Sequence, residues 1–247
     1  MKILFYNTQY CLGMNGSIKD YLLHFGRYFF CSNKTQEKVL SKVKKIIQKY
    51  SPDICCFAEI DKGSKIGNRI RQIERLVDEK YKYYDIENKY GQKSLLRKFP
   101  ILSGQGNGFI SSKNFKFKKH YFKEGTKKLI YEIEISPDLS MFLAHFALGK
   151  KTRAMQFKEL EKIISRKKEC VICGDFNIFK GFKELESLLE SANLKIANKK
   201  TIHTYPTVNP KKTLDLFLCS KNLKIKEVMV LRANGSDHLP IILDIEV

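Results

Sequence analysis

The chain has 247 residues, of which 43% are hydrophobic, and it contains 17 Phe and 12 Tyr. This composition supplies enough apolar side chains for a folded core and excludes a largely disordered protein. The formal net charge of +20 indicates a polyanionic partner or an anionic surface, although the predominance of Lys over Arg is also typical of a compositional bias.

Nothing in the chain predicts a membrane span or a secretion signal. No stretch approaches the roughly 18 to 20 consecutive apolar residues that cross a bilayer, and the start MKILFYNTQY lacks an apolar h-region and a cleavage site. We therefore expect a cytoplasmic protein that acts as a monomer. Its seven Cys are an odd number, which favours free thiols over a disulfide framework. Cys170 and Cys173 lack the second pair that a zinc site needs and are interpreted as core thiols.

Hydrophobic periodicity predicts alternating strands and helices with no linker, and hence one domain over residues 1–247. Residues 36–50 place Val39, Val43 and Ile47 on one face, as expected of an amphipathic helix that Ser51-Pro52 ends. The predicted elements are, in chain order, strand 2–6, helix 36–50, strand 53–58, helix 66–78, strands 107–111, 128–135 and 141–146, helix 152–166, strand 171–173, helix 182–191, and strands 214–220, 226–231 and 240–247.

Two segments bear on the choice of partner. The densest basic run spans residues 113–128, and such a run is typical of a solvated face as well as of a nucleic-acid contact. The segment YLLHFGRYFF, residues 21–30, is dense in aromatic and aliphatic side chains. It could form an apolar lip for a lipid surface or offer stacking rings to single-stranded nucleic acid. Packing of this segment on the domain is the simpler expectation.

Polar residues recur where apolar strands end or begin. Each one has a structural explanation, and Gly-Asp-x-Asn at residues 174–177 is ordinary turn chemistry. Together they supply carboxylates for a hard cation, amides for phosphate oxygens and two imidazoles, which suits metal-assisted hydrolysis of a phosphate ester. The residues are Asn7 after KILFY, Glu59 after DICCFA, His145 in MFLAHF, Asp175 and Asn177 after VIC, Asp215 in LDLFLCS, and Asp237 and His238 before the last strand.

At these residues the sequence resembles the endonuclease/exonuclease/phosphatase superfamily. The likeness covers nearly the whole chain, in the family's order, through the strand-one Asn, PDICCFAEID, GNGFIS, LAHFALG with Arg153 and Gln156, GDFN, TLDLFLCS and SDHLPI. GDFN followed by SDHLP is the most specific part. The resemblance implies a DNase I-like four-layer α/β sandwich, with two mixed β-sheets packed face to face and helices outside.

The resemblance also implies a metal site and a base. Glu59 would hold Mg²⁺ or Mn²⁺, helped by Asn7 and by Asp237. Asp175 would activate or orient the attacking water. Ala58 precedes Glu59 where the family often has Gln, a departure that leaves these assignments intact.

The remaining assignments concern the phosphate. Asn177 and His145 would hold the non-bridging oxygens, with Asn107 as a weaker contact. His238 would stabilise the phosphorane, and Asp215 would fix the tautomer of its ring. These roles make chemical sense because charge that grows on the phosphate in the transition state must be neutralised.

The substrate is left open, because one fold hosts many activities. A phosphodiester is expected, with nucleic acid as the first choice. The alternatives are a phospholipid phosphodiesterase, similar to the sphingomyelinases of this superfamily, and a small-molecule phosphatase. A non-catalytic binding module on the same scaffold is the alternative of another class. It is disfavoured because every expected catalytic position is filled. The absence of Trp and of an abasic-site pocket signature disfavours DNA repair of the abasic-site kind.

Overall fold

The computed structural model describes residues 1–92, 94–199 and 201–247. Within them every one of the nine predicted strands is present, together with three further strands. The strands are β1 (Lys2–Asn7), β2 (Ile54–Asp61), β3 (Tyr83–Asn88), β4 (Gln105–Ser111), β5 (Phe117–Tyr121), β6 (Leu129–Glu134), β7 (Leu139–His145), β8 (Glu169–Asp175), β9 (Leu194–Ile196), β10 (Asp215–Ser220), β11 (Ile225–Val230) and β12 (Ile241–Ile245).

The strands form two six-stranded sheets. The first has the order β11-β12-β1-β2-β4-β3, and the second has the order β5-β6-β7-β8-β10-β9. Each sheet is mixed, because β1 pairs with β2 and β7 with β8 in parallel, whereas the other pairs are antiparallel. The sheets therefore present the ends of β1, β2, β7 and β8 at one edge, where β10 and β12 begin.

The core lies between the two sheets. Alternate residues of β1, Ile3 and Phe5, face Tyr131 and Met141 of the second sheet in one buried cluster. The opposite face of the first sheet buries Leu4 against Val39 and further side chains of the helix at 33–50, and the second sheet is covered in the same way by its own helices. The predicted four-layer α/β sandwich is confirmed.

Four α-helices occur in the described residues: α1 (Ile18–His24), α2 (Asn33–Tyr50), α3 (Lys150–Ile164) and α4 (Glu186–Ser191). α2 begins one turn earlier than predicted, because the hydroxyl of Ser32 accepts the backbone N–H of Thr35 over 3.3 Å. It ends at Ser51, whose φ of 45° places it in the left-handed region before Pro52. None of these helices is both long and apolar enough to cross a bilayer.

The helix predicted at 66–78 is wrong. This segment runs through successive turns whose backbone N–H groups bond to carbonyls three residues back, as in Leu76 to Ile73 over 2.9 Å. Asn68 and Arg69 have φ of 47° and 59°, which no α-helix tolerates. Ile73 and Leu76 are nevertheless buried. Successive turns place residues three apart on the same side of the chain, facing the core. The apolar spacing that predicted a helix therefore also fits these turns.

Two of the three additional strands were missed for identifiable reasons. β5 lies inside the basic run, where Lys118 and Lys119 obscure the alternation, and β9 has only three residues. The helix predicted at 182–191 is split into a 3₁₀ turn, Phe182–Leu185, and the short α4. All seven cysteines are buried and free, as predicted.

Candidate active site

The predicted site residues converge on one edge of the two sheets. Asn7 ends β1, and the β-sheet register sets His145 at the end of β7 opposite Asp175 at the end of β8. Asp215 begins the antiparallel β10 opposite Asp175. Strands from both sheets thus deliver an amide, an imidazole and two carboxylates to one place.

The carboxylate of Asp175 is the centre of this edge. Its Oδ2 accepts a hydrogen bond from the side-chain amide of Asn7 over 3.1 Å and lies 3.2 Å from Nε2 of His145. Nε2 of His238 is 3.9 Å from the same oxygen. The other oxygen accepts the backbone N–H of Asn177 over 3.0 Å. Asn177 has a φ of 51°, strained for a residue with a side chain, which turns the chain back at the strand end.

Burial and charge set the protonation of this centre. Burial raises the pKa of Asp175, but the neighbouring His238 and His145 lower it by a larger amount. The net result is a pKa below the ordinary value. Burial, together with the cationic Lys127, lowers the pKa of His145 to about 4. At neutral pH Asp175 is therefore ionised and His145 is neutral.

His238 and Asp215 form a buried pair beside Asp175. Nδ1 of His238 lies 2.7 Å from Oδ2 of Asp215. Burial lowers the pKa of His238, but Asp215, Asp175 and Asp237 raise it well above its ordinary value. Burial outweighs the attraction of His238 and raises the pKa of Asp215 to about 6. At pH 7 the pair is therefore a carboxylate and an imidazolium, and Nε2 of His238 lies near Oδ2 of Asp175 without a direct hydrogen bond.

Glu59 lies on the other side of Asp175. A β-bulge in β2 gives Glu59 a φ of 52°, and its backbone N–H donates to Oδ1 of Asn107 over 3.3 Å. Its carboxylate is 4.0 Å from Nε2 of His145 and 3.8 Å from Nζ of Lys127. Burial raises the pKa of Glu59, but the surrounding cations, Lys127 first, lower it below the ordinary value. Asn107 thus orients the backbone of Glu59.

Two lysines complete the site and were missed as site residues by the sequence. Lys127 contacts Nε2 of His145 and faces Glu59. Lys89 is buried, donates to the hydroxyl of Tyr10, and has its pKa lowered to about 8 by burial. The run at 113–128 gave no signal that its residue 127 turns inward, and Lys89 stands in no recognised motif.

Asp237 is held by protein groups. Its Oδ2 accepts the hydroxyl of Tyr21 over 2.6 Å, and its Oδ1 accepts the hydroxyl of Ser236 over 3.2 Å. Burial raises its pKa. The Glu59 carboxylate differs, because no residue in the described part of the chain donates a hydrogen bond to it.

Arg153 and Gln156 shape the loop that follows His145. The guanidinium of Arg153 donates to the carbonyl oxygens of Ala147 and Leu148 over 2.9 and 2.8 Å and pairs with Glu184. The amide oxygen of Gln156 accepts the backbone N–H of Ala147 over 2.8 Å. These contacts satisfy the backbone groups of a sharp turn and keep His145 at the edge.

Two groups could hold a cation. Asp175, Asp215 and His238 each offer a donor atom, and the three atoms lie within 4.8 Å of one another, so this group could bind a metal ion. Nδ1 of His238 and Oδ2 of Asp215 are engaged with each other, whereas the buried Oδ1 of Asp215 has no hydrogen-bond partner in the described residues. The ionised Glu59 carboxylate accepts no hydrogen bond from the described residues, and Asn7, the register partner of Ala58, has an Oδ1 that accepts the backbone N–H of Gln9 over 3.1 Å and keeps a second lone pair. Carboxylate and amide oxygens are the donors that Mg²⁺ and Mn²⁺ prefer, so Glu59 and Asn7 fit such an ion.

The apolar segment at 21–30 packs on the domain through Tyr21, but most of its apolar side chains are exposed, so the expectation that the segment packs on the domain is wrong for them. Residues 18–30 include α1 and the 3₁₀ turn Phe25–Tyr28, neither of which contains a buried residue. Leu22 is 76% exposed, and Phe25 and Phe29 are each 60% exposed. Burying one such side chain is worth about 1.5–3 kcal/mol, so a patch of this size marks a contact surface.

The basic run at 113–128 is divided by the fold. Lys113 and Lys116 lie before β5, at the end of the sheets remote from Asp175, because β5 runs in the same direction as β7. Lys119 is paired with Asp85 over 2.6 Å. Only the end of the run, at Lys127, reaches the site. The run therefore does not form a single basic strip leading to the reactive edge.

The fold is an α/β sandwich of two mixed sheets, and acidic and imidazole side chains lie together at one edge of it. Residues 33–238 match the model of the Endonuclease/Exonuclease/phosphatase family, and the chain belongs to that family. Members of this family are phosphoester hydrolases. The superfamily resemblance seen in the sequence is thereby confirmed.

Solved structures with the same fold cover the whole chain. An endonuclease/exonuclease/phosphatase family protein from Leptotrichia buccalis is 19% identical with a TM-score of 0.71, and both chains are covered over 100%. A mannosyl-6-phosphatase from Bacteroides thetaiotaomicron is 14% identical with a TM-score of 0.69, again over 100% of both chains. The human Nocturnin catalytic domain is 19% identical with a TM-score of 0.66, over 100% of this chain and 93% of the other. At these identities the similarity concerns the fold. No curated protein sequence matches the chain.

Proposed function

We propose that this chain is a hydrolase of phosphodiesters that depends on a divalent cation, Mg²⁺ or Mn²⁺, and that Asp175 is its general base. The observation that carries the proposal is the position of the Asp175 carboxylate. It is buried, ionised, and within 4 Å of an amide and two imidazoles supplied by both sheets.

Asp175 would accept a proton from the attacking water. Its lowered pKa makes it a weak base, but one that stays ionised across the working pH range, so its main contribution is to orient the water. The hydrogen bond from Asn7 holds the carboxylate in place. Orientation of this kind can supply a large part of a rate enhancement because the reactants no longer have to find one another.

His238 would stabilise the charge that grows on the phosphate oxygens. Its Nδ1–H is directed to Asp215, so Nε2 of the imidazolium is left to donate. Neutral His145 and the amide of Asn177 would hold non-bridging oxygens. Asn177 has one amide hydrogen engaged by the carbonyl oxygen of Phe146 over 2.9 Å and keeps the other for a ligand. Asn107 would act mainly through Glu59.

Glu59 and Asn7 would hold the cation, helped by Asp237, whose oxygens already accept the hydroxyls of Tyr21 and Ser236. When bound, the ion would neutralise charge on the phosphate and polarise it for attack. Lys127 and Lys89 balance the charge of the Glu59 carboxylate and would face the anionic substrate. Residues 1–247 would act as one domain, which the shared core between the sheets supports.

A substrate panel with Mg²⁺, with Mn²⁺ and with excess chelator tests the proposal. It contains a soluble generic phosphodiester, single- and double-stranded DNA, RNA, phospholipid vesicles and phosphomonoesters. We expect cleavage of the generic diester with metal and none with chelator. Full activity in chelator contradicts the cation, and inactivity of the wild type on every substrate while it still binds nucleic acid supports a non-catalytic module.

Nucleic acid remains a candidate substrate because of the net charge of +20. If it binds through that charge, affinity must fall steeply as salt rises. Replacing Lys113, Lys116, Lys118 and Lys119 together with Gln tests the run. Because the fold keeps Lys113 and Lys116 far from the site, we expect this change to leave turnover of any diester unaltered.

A further inference from the structure

We propose that the active-site edge docks on an anionic phospholipid bilayer through the apolar rim, a surface formed by Ile18, Leu22, Leu23, Phe25, Phe29 and Phe30, and that the phosphodiester hydrolysed is a lipid of that surface. The inference rests on the proposed function and names the substrate class of the same site. Four features of the structure support it: the exposure of the rim, its position beside the reactive groups, the apolar side chains of neighbouring loops, and the basic residues that flank it.

The side chains of the apolar rim are exposed to solvent. All six rim side chains are between 58% and 80% exposed. They belong to one short segment, residues 18–30, in which the ring centroids of Phe25 and Phe29 are 5.5 Å apart. A contiguous patch of this kind on a protein with an otherwise well-filled core is a surface that some partner covers.

The rim is joined directly to the site. It follows β1, whose last residue, Asn7, contacts Asp175. Tyr21, within the same segment, donates its hydroxyl to Asp237, the neighbour of His238. A partner bound to the rim therefore lies beside the reactive groups, so a rim inserted among lipid chains would bring lipid phosphates to them.

The apolar surface extends to other loops of the same edge. Leu95, Phe99 and Ile101 are exposed on the connection between β3 and β4. Backbone hydrogen bonds tie this connection to the rim, from Lys65 to Pro100 over 3.2 Å and from Cys31 to Ile66 over 2.9 Å. On the other side, the backbone N–H of the exposed Val208 donates to Asn15 over 3.2 Å. Three connections thus present apolar side chains around one edge, which suits an extended planar partner.

Basic residues flank the rim. Arg27, Lys34, Lys38 and Lys42 line a cavity of about 610 Å³ that adjoins α1 and α2, with Asp20 as its acidic member. Apolar insertion flanked by Lys and Arg is the combination that binds proteins to anionic membrane surfaces. The guanidinium of Arg27 donates to the carbonyl oxygens of Leu12 and Gly13. The three lysines would therefore face lipid headgroups while the rim enters the acyl boundary.

A bilayer fits this surface better than single-stranded nucleic acid does. Bases stack on flat aromatic faces, yet half of the rim is aliphatic, and so are Leu95, Ile101 and Val208. Phe25 and Phe29 are inclined at 69° to each other, edge against face, so they do not offer a row of parallel rings. Aliphatic side chains gain free energy from acyl chains by burial alone.

The test uses the full chain, vesicles of phosphatidylcholine with and without phosphatidylserine, and co-sedimentation in chelator, so that binding is measured without turnover. We expect the wild type to bind the anionic vesicles, and the F29S/F30S variant to bind at least tenfold more weakly. A control variant, Y84S/V247S, removes two exposed apolar side chains at the opposite edge of the sheets and should bind like the wild type. Lys34→Gln with Lys38→Gln should weaken binding only to the anionic vesicles.

Turnover separates this inference from the proposed function. F29S/F30S should keep wild-type turnover of a soluble phosphodiester, which also shows that it is folded, and should lose turnover of phospholipid in vesicles. Failure of the wild type on the soluble diester counts against the proposed function. Vesicle binding that is absent, or unchanged by F29S/F30S, overturns the docking inference. The docking inference is also overturned if F29S/F30S leaves vesicle binding unchanged but abolishes binding to a single-stranded oligonucleotide. It is likewise overturned if the variant leaves vesicle binding unchanged but abolishes a dimer seen by sedimentation.

Discussion

The side-chain amide of Asn7 donates to Oδ2 of Asp175 over 3.1 Å and so joins residues 168 positions apart, one from each sheet. This hydrogen bond crosses the gap between the sheets at the reactive edge. It lowers the freedom of the carboxylate on which the proposed chemistry depends.

Removing this contact should impair catalysis more than folding. We expect Asn7→Ala to lower kcat/KM about tenfold or more, since a hydrogen bond to a charged group contributes about 1.5–3 kcal/mol. Asn7→Asp should be worse, because a second carboxylate beside Asp175 raises the pKa of both. Steady-state kinetics with thermal unfolding of each variant measures the two effects. Equal losses of kcat/KM and of folded protein would assign Asn7 a structural role only.

Asp175 and His238 should behave as one catalytic unit. Asp175→Asn and His238→Ala should each lower kcat by about a hundredfold or more with little change in substrate binding. Because both act on the same transition state, the double variant should lose much less than the product of the two single losses. Multiplicative losses would show that they act independently, and near-normal turnover in either single variant would remove that residue from the mechanism.

Glu59 should set the metal requirement. Glu59→Gln keeps the shape of the side chain and removes its charge, so we expect the Mg²⁺ or Mn²⁺ concentration for half-maximal activity to rise about tenfold or more. Titration of metal into the apoprotein, followed by calorimetry, reads the same change without turnover. Glu246→Gln, at the opposite edge of the sheets, is the matched control. An unchanged metal titration in Glu59→Gln would contradict the Glu59 site and favour binding of the cation by Asp175, Asp215 and His238.

Activity should fall on the acid side near pH 6. Asp215 has its pKa raised to about 6, so it is ionised above that pH and gains a proton as the pH falls through it. Protonated Asp215 no longer holds the His238 imidazolium. Asp175, whose pKa is lowered, stays ionised over the same range. A pH profile of kcat/KM should therefore show one acid limb near pH 6, which Asp215→Asn abolishes. An acid limb that survives in Asp215→Asn belongs to another group.

Gly174 should be indispensable to the site. A Cβ at this position would lie 1.9 Å from the carbonyl oxygen of Ala144, so Gly174→Ala must separate β7 from β8 beside His145 and Asp175. We expect a loss of about 3 kcal/mol or more in the free energy of unfolding. Gly26→Ala, where nothing lies within 4 Å of the added Cβ, should be neutral. Denaturant unfolding of both variants checks the contrast.

The sequence by itself determined the alternation of strands and helices and the nine strands with a strong apolar pattern. It also predicted that Asn7, His145, Asp175 and their partners meet at one edge. These features follow from local periodicity and from the rule that neighbouring strands end together. Signals of this kind survive without knowledge of what packs against them.

Only the tertiary structure decided the rest. Buried turns at 66–78 replaced a predicted helix, because apolar spacing does not report a positive φ. Lys127 lies in the site although it belongs to the basic run, and the side chains of the apolar rim are exposed to solvent. Whether a charged or an apolar side chain is buried depends on the surface that the rest of the chain places opposite it. Sequence position carries no record of that surface, so burial of these side chains had to be read from the fold.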